Sequence, residues 1–274
     1  MIYLLNVRQS MALLLACLTF TASVMADELV IPGSGNPEVV LKSLAEAFNK
    51  QQSAHHVSVP VSTGAAGALR DVEAGTAVLG RLGRPLKPEE AARGLSYVAL
   101  GRDPVAFVAG ANVTVKGLTS AQVVDIYTGK IGNWSELGGK PAPIRAVGRE
   151  VTDTSRQSIA KVVKEFETIV YGPGVKLVHL DPQLIELLDR FPTSLGFLNR
   201  SGLAACKTKV VLLALDGIEP NPQYVGIGRY PLWIEMGLIH KTGKLTPAAR
   251  AFIEFTHSSD GIRILRENGI LAAN

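Results

Sequence analysis

Cysteine is almost absent from this chain. Of 274 residues only Cys17 and Cys206 are cysteine, and Cys17 falls in an N-terminal segment that reads as a leader. One remaining cysteine allows no intrachain disulfide and no thiolate metal cluster. Beside Ala204 and Ala205, Cys206 reads as a small, partly buried thiol without a reactive role. Charge is scarce too: 19% of residues are charged and 47% hydrophobic, which excludes a disordered chain and fits one large or two ordinary domains. The net charge of +4 becomes +3 once Arg8 leaves with the leader. That excess suits acidic ligands, but Lys and Arg are not clustered as nucleic-acid binding requires. Signatures of catalysis are missing as well. His55, His56, His179, His240 and His257 form no H-E-x-x-H pair, and no G-x-S-x-G elbow occurs. Gly129-Lys130 runs into Ile131 and Gly243-Lys244 into Leu245, so neither is a P-loop; Gly33-Ser34-Gly35 lacks the third glycine of a dinucleotide fingerprint. No catalytic residue, metal or cofactor is therefore assigned.

What is present begins with residues 1–26. Arg8 is their only charge, an apolar run follows, and Val24-Met25-Ala26 offers small residues before Asp27. This is the pattern of a cleaved secretory signal, too short for a spanning helix and without a basic stop-transfer cluster. A lipoprotein variant anchored through Cys17 is the alternative.

Beyond the leader, strand and helix patterns alternate. Strands are expected at 28–31, 57–61, 77–79, 144–147, 195–198 and 210–215. Helices are expected from Pro37, over 66–74 and 88–93, from a Thr119 cap to Tyr127, and over 182–189. An apolar face of Ile159, Val162, Val163, Phe166, Ile169 and Val170 predicts a long helix after Arg149. Thr246-Pro247 and Ser259 open two C-terminal helices, the second ending at Asn268-Gly269. Two longer β-rich runs, 96–110 and 230–241, read as crossings between two lobes, the first broken at 101–104. The result is an α/β fold of two lobes, each a mixed, mostly parallel sheet flanked by helices, with a ligand cleft between them. One lobe is discontinuous, 27–103 plus 228–274; the other is 104–227.

Three polar or glycine-rich junctions each join a strand to a helix: Pro32-Gly33-Ser34-Gly35-Asn36, Ser62-Thr63-Gly64-Ala65-Ala66-Gly67, and Arg149 to Ser155. Small residues admit a ligand to the backbone, and the unpaired amides of a helix start favour an anion. Arg149 could grip an oxyanion with two parallel bonds, or equally serve a salt bridge between lobes.

These stretches also carry a resemblance. "GSGNPE" at 33–38, "GALRDVEAGTAVLGRLGRPLKPEE" at 67–90 and above all "LTSAQVVDIYTGKIGNWSELGG" at 118–139 are similar to the phosphate-binding substrate receptors of bacterial ABC importers. "SLGFLN" at 194–199, "YPLW" at 230–233 and 251–274 continue the likeness over nearly all of the chain after the leader. The resemblance implies a type II periplasmic-binding-protein fold. It implies a periplasmic, monomeric receptor that closes on inorganic phosphate or a similar oxyanion and delivers it to an ABC permease in the inner membrane. The ligand contacts it implies are Gly33, Ser34, Gly35, Asn36, Thr63, Gly64, Ala65, Arg149, Asp153, Thr154 and Ser155. Asn133-Trp134 is expected to be structural, its indole packing the second lobe.

Several family positions differ here. Pro37 replaces a threonine, Ala65 or Ala66 a serine, and the stretch 78–83 has Arg81 but no acid. Asp153-Thr154-Ser155 stands where the family has Ser-Gly-Thr. An ionised Asp153 facing a dianion is unfavourable if buried. Either it caps the helix and turns away, or it accepts the proton of a hydrogen phosphate, which sulfate cannot offer. These departures keep a second reading open, a sensing or adhesion protein with altered or lost phosphate binding. A phosphate-ester hydrolase, for which no nucleophile–base pair is evident, is the third.

Overall fold

The computed structural model describes residues 27–273; the leader and Cys17 lie outside the described residues. In chain order the elements are β1 (Asp27–Val30), α1 (Glu38–Gln51), β2 (His55–Ser58), α2 (Gly64–Ala74), β3 (Leu79–Leu82), α3 (Pro88–Ala91) and β4 (Leu95–Ala109). Next come β5 (Gly117–Leu118), α4 (Ser120–Thr128), β6 (Arg145–Arg149), α5 (Thr154–Val162), β7 (Lys176–Val178), α6 (Asp181–Arg190), β8 (Ser194–Asn199) and β9 (Val211–Leu215). The chain ends with α7 (Pro222–Gly226), β10 (Trp233–Lys241), α8 (Pro247–Thr256), α9 (Ser259–Glu267) and β11 (Leu271–Ala272). Among these residues no helix is long and apolar enough to cross a membrane.

The 15-residue β4 organises the molecule. Its first part lies antiparallel to β10 and its last part, from Val105, antiparallel to β8 and β9. The expected break at 101–104 is instead a bulge: opposite Met236-Gly237 the register skips Leu100, and the strand continues. A bulge bends and twists a strand without ending it. Pro104 is tolerated because it sits where β4 changes partners; the next amide, Val105 N, donates to Leu232 O at 2.9 Å. Strands β1 and β2 form a separate parallel pair, and the other nine strands form one mixed sheet. In it β5 lies parallel to β9, and β6 parallel to β7 and β8, while β4 and β10 pair antiparallel to all their neighbours.

Helical apolar spacing places the helices. On α1, Val40, Leu41, Leu44, Ala45 and Phe48 are buried, and the Phe48 ring meets Phe252 and Phe255 edge-on at 5.4 and 5.5 Å. Thr119 caps α4, its hydroxyl accepting from Gln122 N at 3.1 Å. Trp134 is buried, and its Nε1 donates to Thr193 O at 2.9 Å. The long apolar face expected after Arg149 is shorter than its spacing suggests. Helix α5 ends at Val162, a 3-10 turn follows at Lys164–Glu167, and Val162 and Val170 are 38% and 83% exposed. Val162 is the last residue of α5, and Val170 lies beyond the helix, where helical spacing no longer places a side chain on the inner side.

Candidate functional site

The three junctions converge. Together they line one crevice of about 1440 Å³, with the N-terminal part of α1 on one wall and 149–154 and 179–190 on the other.

The first junction is shaped from beneath by a buried cation. Gly33 forms a parallel bridge with Arg81, has φ +139°, and leaves only 2.2 Å between an added Cβ and Arg81 O. Glycine is required there. The fully buried Arg81 guanidinium donates to Ile31 O, to Ser34 O at 2.8 Å and to Pro60 O at 2.8 Å, and it meets Glu38 at 3.3 Å. It thus collects a carbonyl of the first junction and the carbonyls of Ile31 and Pro60, which lead into the first and second junctions. The second junction is tied to the first: Ser62 Oγ and Thr63 N both donate to Gly33 O at 3.0 Å. Thr63 makes no side-chain cap on α2; the first amide of that helix, Gly64 N, donates instead to Ser62 Oγ at 3.2 Å, and Ala65 and Ala66 follow along the crevice.

The third junction holds Arg149 at the end of β6. Gly148 lets Tyr171 close in, since an added Cβ would stand 2.5 Å from its ring. The Tyr171 hydroxyl accepts from Arg149 N at 3.4 Å and donates to Arg149 O at 3.1 Å. Arg156 Nη1 donates to Arg149 O at 2.9 Å, its guanidinium 4.8 Å from the centre of the Tyr171 ring. The Arg149 side chain itself is buried between two carboxylates. Nη2 pairs with Asp153 Oδ2 at 2.8 Å, Nη1 pairs with Asp181 Oδ1, and Nη2 also donates to His179 O at 3.2 Å. Its Nε is buried without a partner.

One cation therefore faces two anions. Burial works against the charged form of Arg149, but Asp181 and Asp153 outweigh it and raise its pKa above the ordinary value. Asp153 also moves up, because burial and the neighbouring Asp181 outweigh Arg149. A single guanidinium cannot fully compensate both carboxylates. Asp153 caps α5, Oδ1 accepting from Arg156 N at 2.9 Å, but it does not turn away as expected of a pure cap: the residue lines the crevice.

Of the residues singled out in the sequence, Ser34, Gly35, Asn36, Thr63, Gly64, Ala65, Arg149, Asp153 and Thr154 line the crevice. Gly33 and Ser155 stand behind its wall: Gly33 accepts from the second junction, and buried Ser155 Oγ accepts from Asn36 Nδ2 at 3.3 Å. Asn36 also donates to Asn199 Oδ1 at 3.2 Å; Asn199 Nδ2 in turn donates to Asp103 Oδ2 at 2.7 Å and Ser201 Oγ at 2.8 Å. This buried polar node ties the first junction to β4 and β8. Sequence reading missed Asp181, whose only local signal is an Asp-Pro helix start. It also passed over Ser62 as a contact. Cys206 is partly buried, and burial pushes its thiol up to about 11, away from thiolate chemistry. Among the described residues no group of three or more His, Cys, Asp and Glu side chains could hold a metal ion.

The chain is similar to known proteins over most of its length. A family model described as a PBP superfamily domain matches residues 21–260. The phosphate-binding protein PstS of Bacillus subtilis is 27% identical over 241 residues, covering 86% of this chain and 77% of that protein. Among solved structures, a putative phosphate ABC transporter substrate-binding protein from Clostridium perfringens, with bound phosphate, superposes with a TM-score of 0.76. It is 27% identical, over 90% of this chain and 100% of that one. An ABC-type phosphate transport receptor from Vibrio cholerae shares the fold, at a TM-score of 0.64 and 23% identity over 89% of this chain and 99% of that one. The fold is the two-lobed α/β architecture of these proteins, and the chain belongs to the PBP superfamily domain family.

Proposed function

We propose that this protein binds inorganic phosphate or a closely related oxyanion in the crevice and delivers it to an ABC importer. The observation that carries the reading is Arg149, buried at the one place where all three junctions meet. The 27% identity to a protein solved with phosphate bound supports it. The lobes would be 27–103 with 228–274, and 104–227, with the bulged β4 and its partner β10 as the crossings. The protein would act outside the cytoplasm, in the periplasm, as a monomer that meets a permease of the inner membrane. It would be a carrier and not an enzyme.

In this reading the start of α2 after Gly64 and the Ser62–Gly35 side meet the anion from one lobe, and Arg149 with Thr154 from the other. Asp153, held by the cap of α5, accepts the ligand's proton. A carboxylate whose pKa is raised by burial is suited to share a proton, so a protonated oxyanion is favoured over sulfate. Calorimetric titration with phosphate, arsenate and sulfate tests this. Phosphate and arsenate should bind with a Kd on the order of micromolar or tighter, about −8 kcal/mol or beyond, and sulfate far more weakly. Arg149→Ala should abolish the heat. Silence with every oxyanion contradicts transport and favours the second reading, a sensing or adhesion protein on this fold. The specific observation behind that alternative is that both carboxylates already sit on Arg149.

A further inference from the structure

The two acids on Arg149 are not held alike. Asp153 is fixed twice, by Arg149 and by the Arg156 amide of its own helix start. Asp181, the first residue of α6, has Arg149 as the sole hydrogen-bond donor to its carboxylate among the described residues. Only Oδ1 is used. Oδ2 points across the crevice: a Cβ added to Gly35 would lie 3.7 Å from it and 3.6 Å from Ser62 Oγ. Gly35 and Ser62 belong to the first and second junctions, and Arg149 to the third. The carboxylate of Asp181 therefore stands in the space the three junctions enclose, on the guanidinium a ligand would need, with 8% of the residue exposed.

We propose that Asp181 is the resident anion of the crevice: in the ligand-free protein its carboxylate holds the seat on Arg149, and an incoming oxyanion must displace it. This deepens the phosphate reading and rests on it. Asp181 then sets affinity by opposing binding. It competes for the guanidinium, and its charge repels any anion approaching Gly35 and Ser62. A charge-assisted bond is about twice as strong as a neutral one, so an amide of the same shape should surrender the seat more readily. Asp153 is the contrasting case. It stays in place and discriminates between anions by protonation, whereas displacement of Asp181 makes no distinction between phosphate and sulfate.

The test compares the protein produced from its full sequence with Asp181→Asn and Asp181→Ser, each dialysed free of anions. Titrations use inorganic phosphate and sulfate at constant ionic strength, and ligand-free thermal unfolding checks that both variants fold; either variant alone suffices. The proposal expects both anions to bind roughly tenfold tighter or more, by similar factors. A residue that merely supports the wall cannot produce such a gain. Binding that appears only in the variants also supports the proposal, while removing the transport reading for the natural chain. Unchanged or weaker phosphate binding overturns it and leaves the phosphate reading standing, with Asp181 a support for Arg149. A loss for phosphate with a gain for sulfate overturns it by making Asp181 the proton acceptor. No binding in any form removes it together with the phosphate reading.

Discussion

Raising the pH from 5 to 8 should weaken the fold through Asp103. It is fully buried in β4, beside the bulge, and burial pushes its carboxyl from 3.8 to about 7 despite hydrogen bonds from Ser201 and Asn199. In the unfolded chain the group ionises near pH 4. Between those values the folded state keeps a proton that the unfolded state has released. The unfolding free energy then falls by about 1.4 kcal/mol per pH unit, and by about 4 kcal/mol over the whole window. Below pH 4 both states are protonated and the penalty is absent; above about 7 it is fully present. The assay is urea unfolding at several pH values, on the natural chain and on Asp103→Asn. The amide cannot ionise, so the variant should lack this slope. Its absolute stability is a poorer readout, because its amide would confront Asn199 Nδ2, now 2.7 Å from Asp103 Oδ2. Parallel pH profiles for the two proteins would refute the reasoning.

Three further outcomes follow from the geometry. Gly33→Ala drives a Cβ to 2.2 Å from Arg81 O at φ +139°; it should cost at least about 1–3 kcal/mol in denaturant unfolding and weaken phosphate binding with it. Tyr171→Phe removes the hydroxyl that contacts both backbone atoms of Arg149. A loss of about 1 kcal/mol of stability and a few-fold weaker phosphate affinity by titration are expected. Phe48→Ala empties the meeting point of α1 with Phe252 and Phe255, for a loss of about 3–5 kcal/mol with the crevice chemistry intact in any folded fraction.

Local signals made much of the fold legible. The Thr119 and Thr246 caps and the spacing of Leu41, Leu44 and Phe48 act within a few residues, and these elements form where expected. Spacing misled at Val162, the last residue of α5, and at Val170 beyond it, because periodicity does not reveal where a helix stops. The bulge at Leu100 was hidden because the register of β4 depends on β10, far along the chain. The crevice was legible on the side made of glycine and hydroxyl junctions. Its electrostatics were not. Asp181 reaches Arg149 from 32 residues away, and only the folded chain brings them together. Asp103 left a fainter trace, an acid inside the apolar run "RDPVAFVAG", the kind of position that needs buried partners. Those partners, Asn199 and Ser201, are 96 and 98 residues away.

The most direct measurement is a crystal structure of the protein grown with arsenate, with anomalous data collected at the arsenic edge. The account predicts one dominant arsenic peak about 4 Å from the Arg149 guanidinium, between Gly35, Ser62 and Thr154, with the Asp181 carboxylate moved off Nη1. A crevice without arsenic, with Arg149 still held by both carboxylates, would contradict it.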